Sequence, residues 1–204
     1  MAAEKKIEVT PMVIDGKPVE GASGQFIDVT NPSTEELVGR VSVATPEEID
    51  AAVRSSHDAF KIWREMPAAE RGALMQKFVN AVRERVDEVG RVLTREQGKP
   101  FPQAKGEILG FCAVIEFYAQ EARRIHGMVI QSDVKDKFVY VLRQPMGVIA
   151  AIPPWNDPLH LLSRMIGPAF AAGCTAVAKP SSDTPLTAPM VARIASEVGF
   201  PPGV

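Results

Sequence analysis

Cysteine is scarce: two residues, Cys112 and Cys174, among 204, alongside three histidines. No Cys-x-x-Cys pair and no His/Cys cluster at ligand spacing occurs, which argues against a structural zinc site or any other metal site. Two thiols far apart fit a reducing, cytoplasmic compartment better than a disulfide scaffold. Long apolar runs are missing as well. None approaches the roughly 18 residues of a membrane span, and the opening MAAEKKIEVT has no apolar signal core. An excess of one charge is also lacking: 23 Lys and Arg against 25 Asp and Glu leave a net charge of -2. That argues against a nucleic-acid partner. The basic residues between Arg83 and Arg95 alternate with acids and read as a solvated helix face.

What the chain has is apolar bulk, 46% of its residues, enough for one large domain or parts of two. The first 44 residues read as short strands and turns. In MVIDGKPV, Asp15-Gly16 between apolar runs signals a hairpin, and VGRVSVA alternates like a strand. Thr45-Pro46-Glu47-Glu48 then supplies an N-cap, a first-turn proline and first-turn acids for a helix running to about Trp63. A longer helix starts at Pro67. Its stripe of Leu74, Phe78, Val82, Val86, Val89 and Leu93 steps by three or four, and Gly98 and Pro100 end it. A third helix, about Ala104 to His126, is expected to bury Leu109, Ala113, Phe117 and Cys112, with Gly127 as its stop.

Strand character returns in FVYVLRQP, within a ribbon placed to protrude or to pair with another chain. From Gly147 the order is strand (GVIAAI), helix (HLLSRMIGPAFAAG), strand (CTAVAKP), helix (PLTAPMVARIASEVG). That is the order of a parallel sheet with helical crossovers. The expected fold is α/β: N-terminal strands and a helical layer over 1–127, the ribbon over 128–146, and an incomplete Rossmann-like parallel unit over 147–204.

The turn PPWNDP leaves the first of these strands at its carboxyl end, where open α/β sheets bind ligands. Prolines fix φ and stiffen it. Asn156 then presents a neutral amide with two N–H donors, suited to stabilising an oxyanion. Asparagine is also a common helix N-cap, so the turn alone leaves both roles open. Lys179 ends the second strand on what should be the same rim, where a lysine can bond ribose hydroxyls or a phosphate, or simply stand solvated at the strand end.

The stretch from Gln144 to Ala188, QPMGVIAAIPPWNDPLHLLSRMIGPAFAAGCTAVAKPSSDTPLTA, resembles the NAD(P)-dependent aldehyde dehydrogenase superfamily. Upstream, NPSTEELVGRVSVATPEEIDAAV, AFKIWREMPAAERGALM and REQGKP follow the same pattern, as does the tail EVGFPPGV. The resemblance implies an oxidoreductase in which a cysteine thiolate attacks the aldehyde and a thiohemiacetal gives up hydride to NAD or NADP. A glutamate then activates water to hydrolyse the thioester. It places Asn156 as the oxyanion donor and Ile152, Pro153, Pro154 and Trp155 along the cofactor. Lys179 falls on the adenosine ribose. The ribbon near Phe138 to Arg143 falls where subunits join into homodimers or homotetramers. The motifs for the nucleophilic cysteine and the glutamate do not occur in this sequence. The reading is therefore an N-terminal portion of such an enzyme, inactive by itself, with a non-catalytic scaffold as the alternative. Cys112 and Cys174 read as small buried thiols.

Three residues depart from the family pattern. Pro153 replaces a common threonine. Asp157 replaces an aromatic that walls the substrate tunnel. It suggests a polar or cationic aldehyde, with Arg164 or His160 as an ion-pair partner, or else a helix-capping role. Ser182 replaces a glutamate that accepts from the ribose hydroxyls in NAD-preferring members. A serine removes repulsion of a 2′-phosphate, so NADP use is expected.

Overall fold

The computed structural model describes residues 9–204. Positions 1–8, most of the stretch read as lacking a signal, lie outside the described residues. Strands β1 (Val9–Thr10), β4 (Phe26–Thr30) and β5 (Leu37–Ser42) form one sheet in the order β1-β5-β4. Strands β2 (Met12–Ile14) and β3 (Lys17–Val19) form the expected hairpin, Ile14 opposite Lys17. Asp15 and Gly16 both take positive φ, 55° and 68°, the backbone of a two-residue turn that matches strand twist.

Helix α1 (Pro46–Trp63) opens on a complete capping box. The Glu48 N–H donates to Thr45 Oγ1 (3.3 Å), and the Thr45 N–H donates to Glu48 Oε2 (2.8 Å). The single long helix expected after Pro67 is instead two, α2 (Ala68–Glu84) and α3 (Val86–Gln97), broken at Arg85 (φ -105°, ψ 19°). The stripe continues through the break, with Phe78, Val82, Val89 and Leu93 buried. The bend lets α2 lie on α4 (Phe101–Glu121) and α5 (Pro158–Ala172) while α3 reaches β4. Gly98 ends α3 in the left-handed conformation (φ 84°), as its sequence position suggested.

Helix α4 (Phe101–Glu121) corrects the expected face. Leu109 and Phe117 are 45% and 57% exposed and Ala113 is exposed, whereas Ala104, Ile108, Phe111, Cys112, Ile115 and Ala119 are buried. The helix is apolar nearly all round, so periodicity could not choose its inner side. Packing against α2, α3 and α5 did. Its end was also set too late, because the helix gives way to a single 3-10 turn at Ala122–Arg124. Strands β6 (Met128–Ile130) and β7 (Val139–Val141) pair antiparallel in a ribbon that leaves Val129, Phe138, Tyr140 and Leu142 exposed.

Strand β8 (Val148–Ala151), helix α5 (Pro158–Ala172), strand β9 (Thr175–Ala178) and helix α6 (Thr187–Glu197) complete the described chain. The two strands pair in parallel, Val148 with Thr175 through Ala151 with Ala178, as their order predicted. The core lies between this unit and the helical layer. Trp63, fully buried, donates its indole N–H to the Phe170 carbonyl (3.0 Å) and stacks on Phe200 (5.3 Å between centroids). Burial of side chains this large contributes about 1.5–3 kcal/mol each. No described helix is long and apolar enough to cross a membrane.

The start of α6 has no side-chain cap of its own. Glu96, buried on α3, supplies one. It accepts from the Leu186 N–H (2.6 Å), the Thr187 N–H (3.2 Å) and the Thr187 hydroxyl (2.7 Å). Burial nonetheless pushes its pKa from 4.5 up to about 7, the hydrogen bonds pulling back against it. The folded state therefore holds this proton more tightly than the unfolded chain. Stability from it is complete below pH 4.5 and is lost as pH rises through 7. Relative to Glu96→Gln, which does not titrate, the wild type should lose on the order of 3 kcal/mol between pH 4.5 and 7.5. Denaturant midpoints of both proteins across that range check it, and a pH-independent difference would refute it.

Candidate functional site

Strand β8 ends at Ala151, whose carbonyl accepts from the Lys179 N–H (2.9 Å). That bond joins the carboxyl ends of β8 and β9 and puts the Pro-Trp-Asn turn and Lys179 on one rim, as the sequence implied. Ile152 and Trp155 are 61% and 55% exposed. Pro154, Asn156, Lys179 and Ser182 are exposed too. Pro153 is buried within this otherwise exposed stretch. Cys112 and Cys174 are buried free thiols, as expected. Burial pushes the Cys112 pKa up to about 11, far from the thiolate form a nucleophile needs. Among the described residues no group of three or more His, Cys, Asp or Glu side chains could hold a metal ion.

The Asn156 side chain does not cap α5. The N-cap position belongs to Asp157, and its side chain makes no capping bond either. The free N–H groups are met from α4, where buried Glu107 accepts from the Leu159 N–H (2.9 Å) and the His160 N–H (3.3 Å) through Oε1. Its other oxygen binds Lys99 Nζ. Lys99, its side chain 11% exposed, also donates to Asp157 Oδ1 (2.9 Å) and to the Asn156 carbonyl (3.1 Å). Gln97 Nε2 gives that carbonyl a second bond (3.1 Å). Burial works against the Lys99 charge, but hydrogen bonds to Glu107 and Asp157 outweigh it and raise the pKa above the ordinary lysine value.

Asp157 therefore pairs with Lys99, not with Arg164 or His160. Lys99 comes from a connection distant in sequence, beyond the reach of spacing arguments made on α5 alone. His160 turns toward α4 instead: a Cβ added at Gly110 would lie 2.9 Å from its Nδ1. Arg164 is exposed and has no ion pair among the described residues. Gln97, Lys99 and Glu107 were not among the sequence candidates. The signal available for Glu107 was a carboxylate in the apolar first half of α4, next to Ile108, since such a group is seldom buried unless paired.

What the rim can do is specific. A rigid turn, its Asn156 carbonyl fixed by two donors from the helical layer, presents a neutral amide N–H outward. A cation and a hydroxyl, Lys179 and Ser182, follow β9 on the same side.

Residues 19–204 match the aldehyde dehydrogenase family. The chain is 41% identical over 192 residues to the succinate-semialdehyde dehydrogenase [NADP(+)] GabD of Escherichia coli K12, covering 94% of this chain and 40% of that protein. It is 42% identical over 191 residues to a glutarate-semialdehyde dehydrogenase of Pseudomonas putida, again covering 94% and 40%. A crystal structure described as an NADP-dependent enzyme of E. coli superposes with a TM-score of 0.93 at 40% identity, over 96% of this chain and 40% of that one. The chain thus spans about two fifths of the length of the relatives it matches. With a family match across most of its length, and the amide-bearing turn and lysine on one strand rim, the chain belongs to the aldehyde dehydrogenase family.

Proposed function

We propose that this chain forms one wall of the active site of an NAD(P)+-dependent dehydrogenase that oxidises a semialdehyde bearing a second, carboxylate end to the diacid. The observation that carries the reading is Asn156: an amide donor on a stiff turn at the carboxyl ends of two parallel strands. Its N–H stabilises the oxygen of the aldehyde as negative charge develops there, and a fixed dipole needs no reorganisation at that moment. The attacking thiol comes from outside these 204 residues, since Cys112 and Cys174 are both buried.

The rim fits a dinucleotide. Ile152 and Trp155 leave apolar surface open, and Lys179 and Ser182 offer a cation and a hydroxyl without a carboxylate facing them in any ion pair among the described residues. A nicotinamide bound there supplies the hydride acceptor. Lys179 holds ribose or phosphate oxygens, and Ser182 leaves room and a donor for a 2′-phosphate. Asp157 no longer argues for a cationic aldehyde, because Lys99 neutralises it. Arg164 argues for an anionic one. It follows Asp157 by seven residues on the same helix face, about 10 Å along the axis, and its guanidinium has no ion pair among the described residues. The relatives' names, succinate- and glutarate-semialdehyde dehydrogenase, fit a substrate of this class. The exposed ribbon of β6 and β7 is the surface through which subunits pair into homodimers or homotetramers.

Three measurements on the complete enzyme test this reading. Asn156→Ala should lower kcat by about 100- to 1,000-fold, the usual loss of an oxyanion donor, with little change in KM; a kcat within threefold of wild type would remove Asn156 from the chemistry. Arg164→Leu should raise KM for succinic semialdehyde at least tenfold and leave an uncharged aliphatic aldehyde unaffected, about 1.4 kcal/mol of differential binding. Equal effects on both would end the carboxylate assignment. Wild type should turn over NADP at least as well as NAD in kcat/KM, and Ser182→Glu should shift that ratio toward NAD; a strong NAD preference in the wild type would refute the role given to Ser182.

A further inference from the structure

Asn156 is exposed, and an asparagine amide turns easily about its last torsion, so something must decide which end of it faces the substrate. We infer that Asp157, held by Lys99, is the positioning residue that sets the orientation of the Asn156 amide; this rests on the oxyanion role proposed above.

Four contacts carry the inference. The Lys99 ammonium has three N–H donors and meets three acceptors: Glu107, Asp157 Oδ1 at 2.9 Å and the Asn156 carbonyl at 3.1 Å. With every donor used, it has no reason to swing away. Asp157 is thereby fixed through Oδ1, leaving Oδ2 for Asn156 Nδ2 at 3.4 Å. A carboxylate only accepts, so it selects the NH2 end of the neighbouring amide and rejects the carbonyl end. One amide N–H is then committed to Asp157, the plane of the amide is set, and the second N–H is free to donate outward. Glu107 anchors the relay from beneath, because its Oε1 is already occupied by the first turn of α5.

The charges are arranged for the same purpose. A carboxylate beside an oxyanion site opposes the charge that develops there. Here the Lys99 ammonium, bonded to that carboxylate, offsets it at short range. Asp157 can therefore orient the donor without cancelling its effect.

The test compares Asp157→Asn with Asp157→Leu in the complete enzyme, Asn156→Ala serving as the reference for full loss. In Asp157→Asn the new carbonyl goes to the charged Lys99, the stronger partner. Its NH2 then faces Asn156 Nδ2, donor against donor, and turns the Asn156 amide over. The isosteric variant should therefore lose as much kcat as Asp157→Leu or more, about tenfold, part of the 100- to 1,000-fold lost when such a donor is deleted. KM values and melting temperature should hardly move. A merely structural Asp157 gives the opposite order, with Asn milder than Leu, and that order, or a kcat within twofold of wild type in Asp157→Asn, overturns the inference. A neutron structure of the perdeuterated wild type is expected to place an Asn156 amide deuterium toward Asp157. Finding the Asn156 carbonyl oxygen there overturns the inference whether or not the enzyme is active. Absence of aldehyde oxidation in the wild type defeats the proposed function instead.

Discussion

Glu96 and Glu107, both buried in the helical layer, receive the free N–H groups at the starts of α6 and α5. A helix leaves its first four N–H groups without partners, and neither helix has a side-chain cap of its own. Each start is buried against the layer, where water cannot supply the missing bonds. A carboxylate from another element is thus required, and it also meets the positive end of the helix dipole. The parallel unit cannot be placed without the helical layer, because two of its elements begin on that layer's side chains.

The same constraint places the site. Glu107 fixes the first turn of α5 and, through Lys99, the peptide just before it. The Asn156 carbonyl is bonded by Gln97, the last residue of α3, and by Lys99, in the connection between α3 and α4. The amide that points outward is therefore anchored by three residues of the helical layer, Glu107, Lys99 and Gln97. The two carboxylates differ in what balances them. Glu107 has a cation, Lys99. Glu96 has only dipoles, two N–H groups and one hydroxyl, and its pKa rises to about 7.

Local signals read correctly where the partners are close in sequence. The Thr45–Glu48 capping box, the Asp15-Gly16 turn and the Gly98 terminus involve residues at most four apart. They depend on backbone geometry that any neighbourhood would permit. The β8–α5–β9 order was legible because two continuous apolar strands flanking a helix have few other solutions. The α4 face was not. Leu109, Ala113 and Phe117 recur at helical spacing just as Ile108, Cys112 and Ile115 do, and only the positions of α2 and α5 separate the two stripes. The break at Arg85 was hidden for a related reason, since the stripe runs through it without interruption.

The sequence by itself determined most of the elements, apart from the break at Arg85 and the end of α4, together with the parallel unit and the rim that carries Asn156, Lys179 and Ser182, because strand ends and turn prolines are local features. It also carried the family pattern across nearly the whole length. The tertiary structure alone decided who holds that rim. Asp157 finds Lys99, 58 residues away, and Leu159 finds Glu107, 52 away. A charge inside a fold pairs with whichever opposite charge or dipole the packing brings within about 3 Å. Packing is a property of how helices lie on one another, which no spacing along a single helix records.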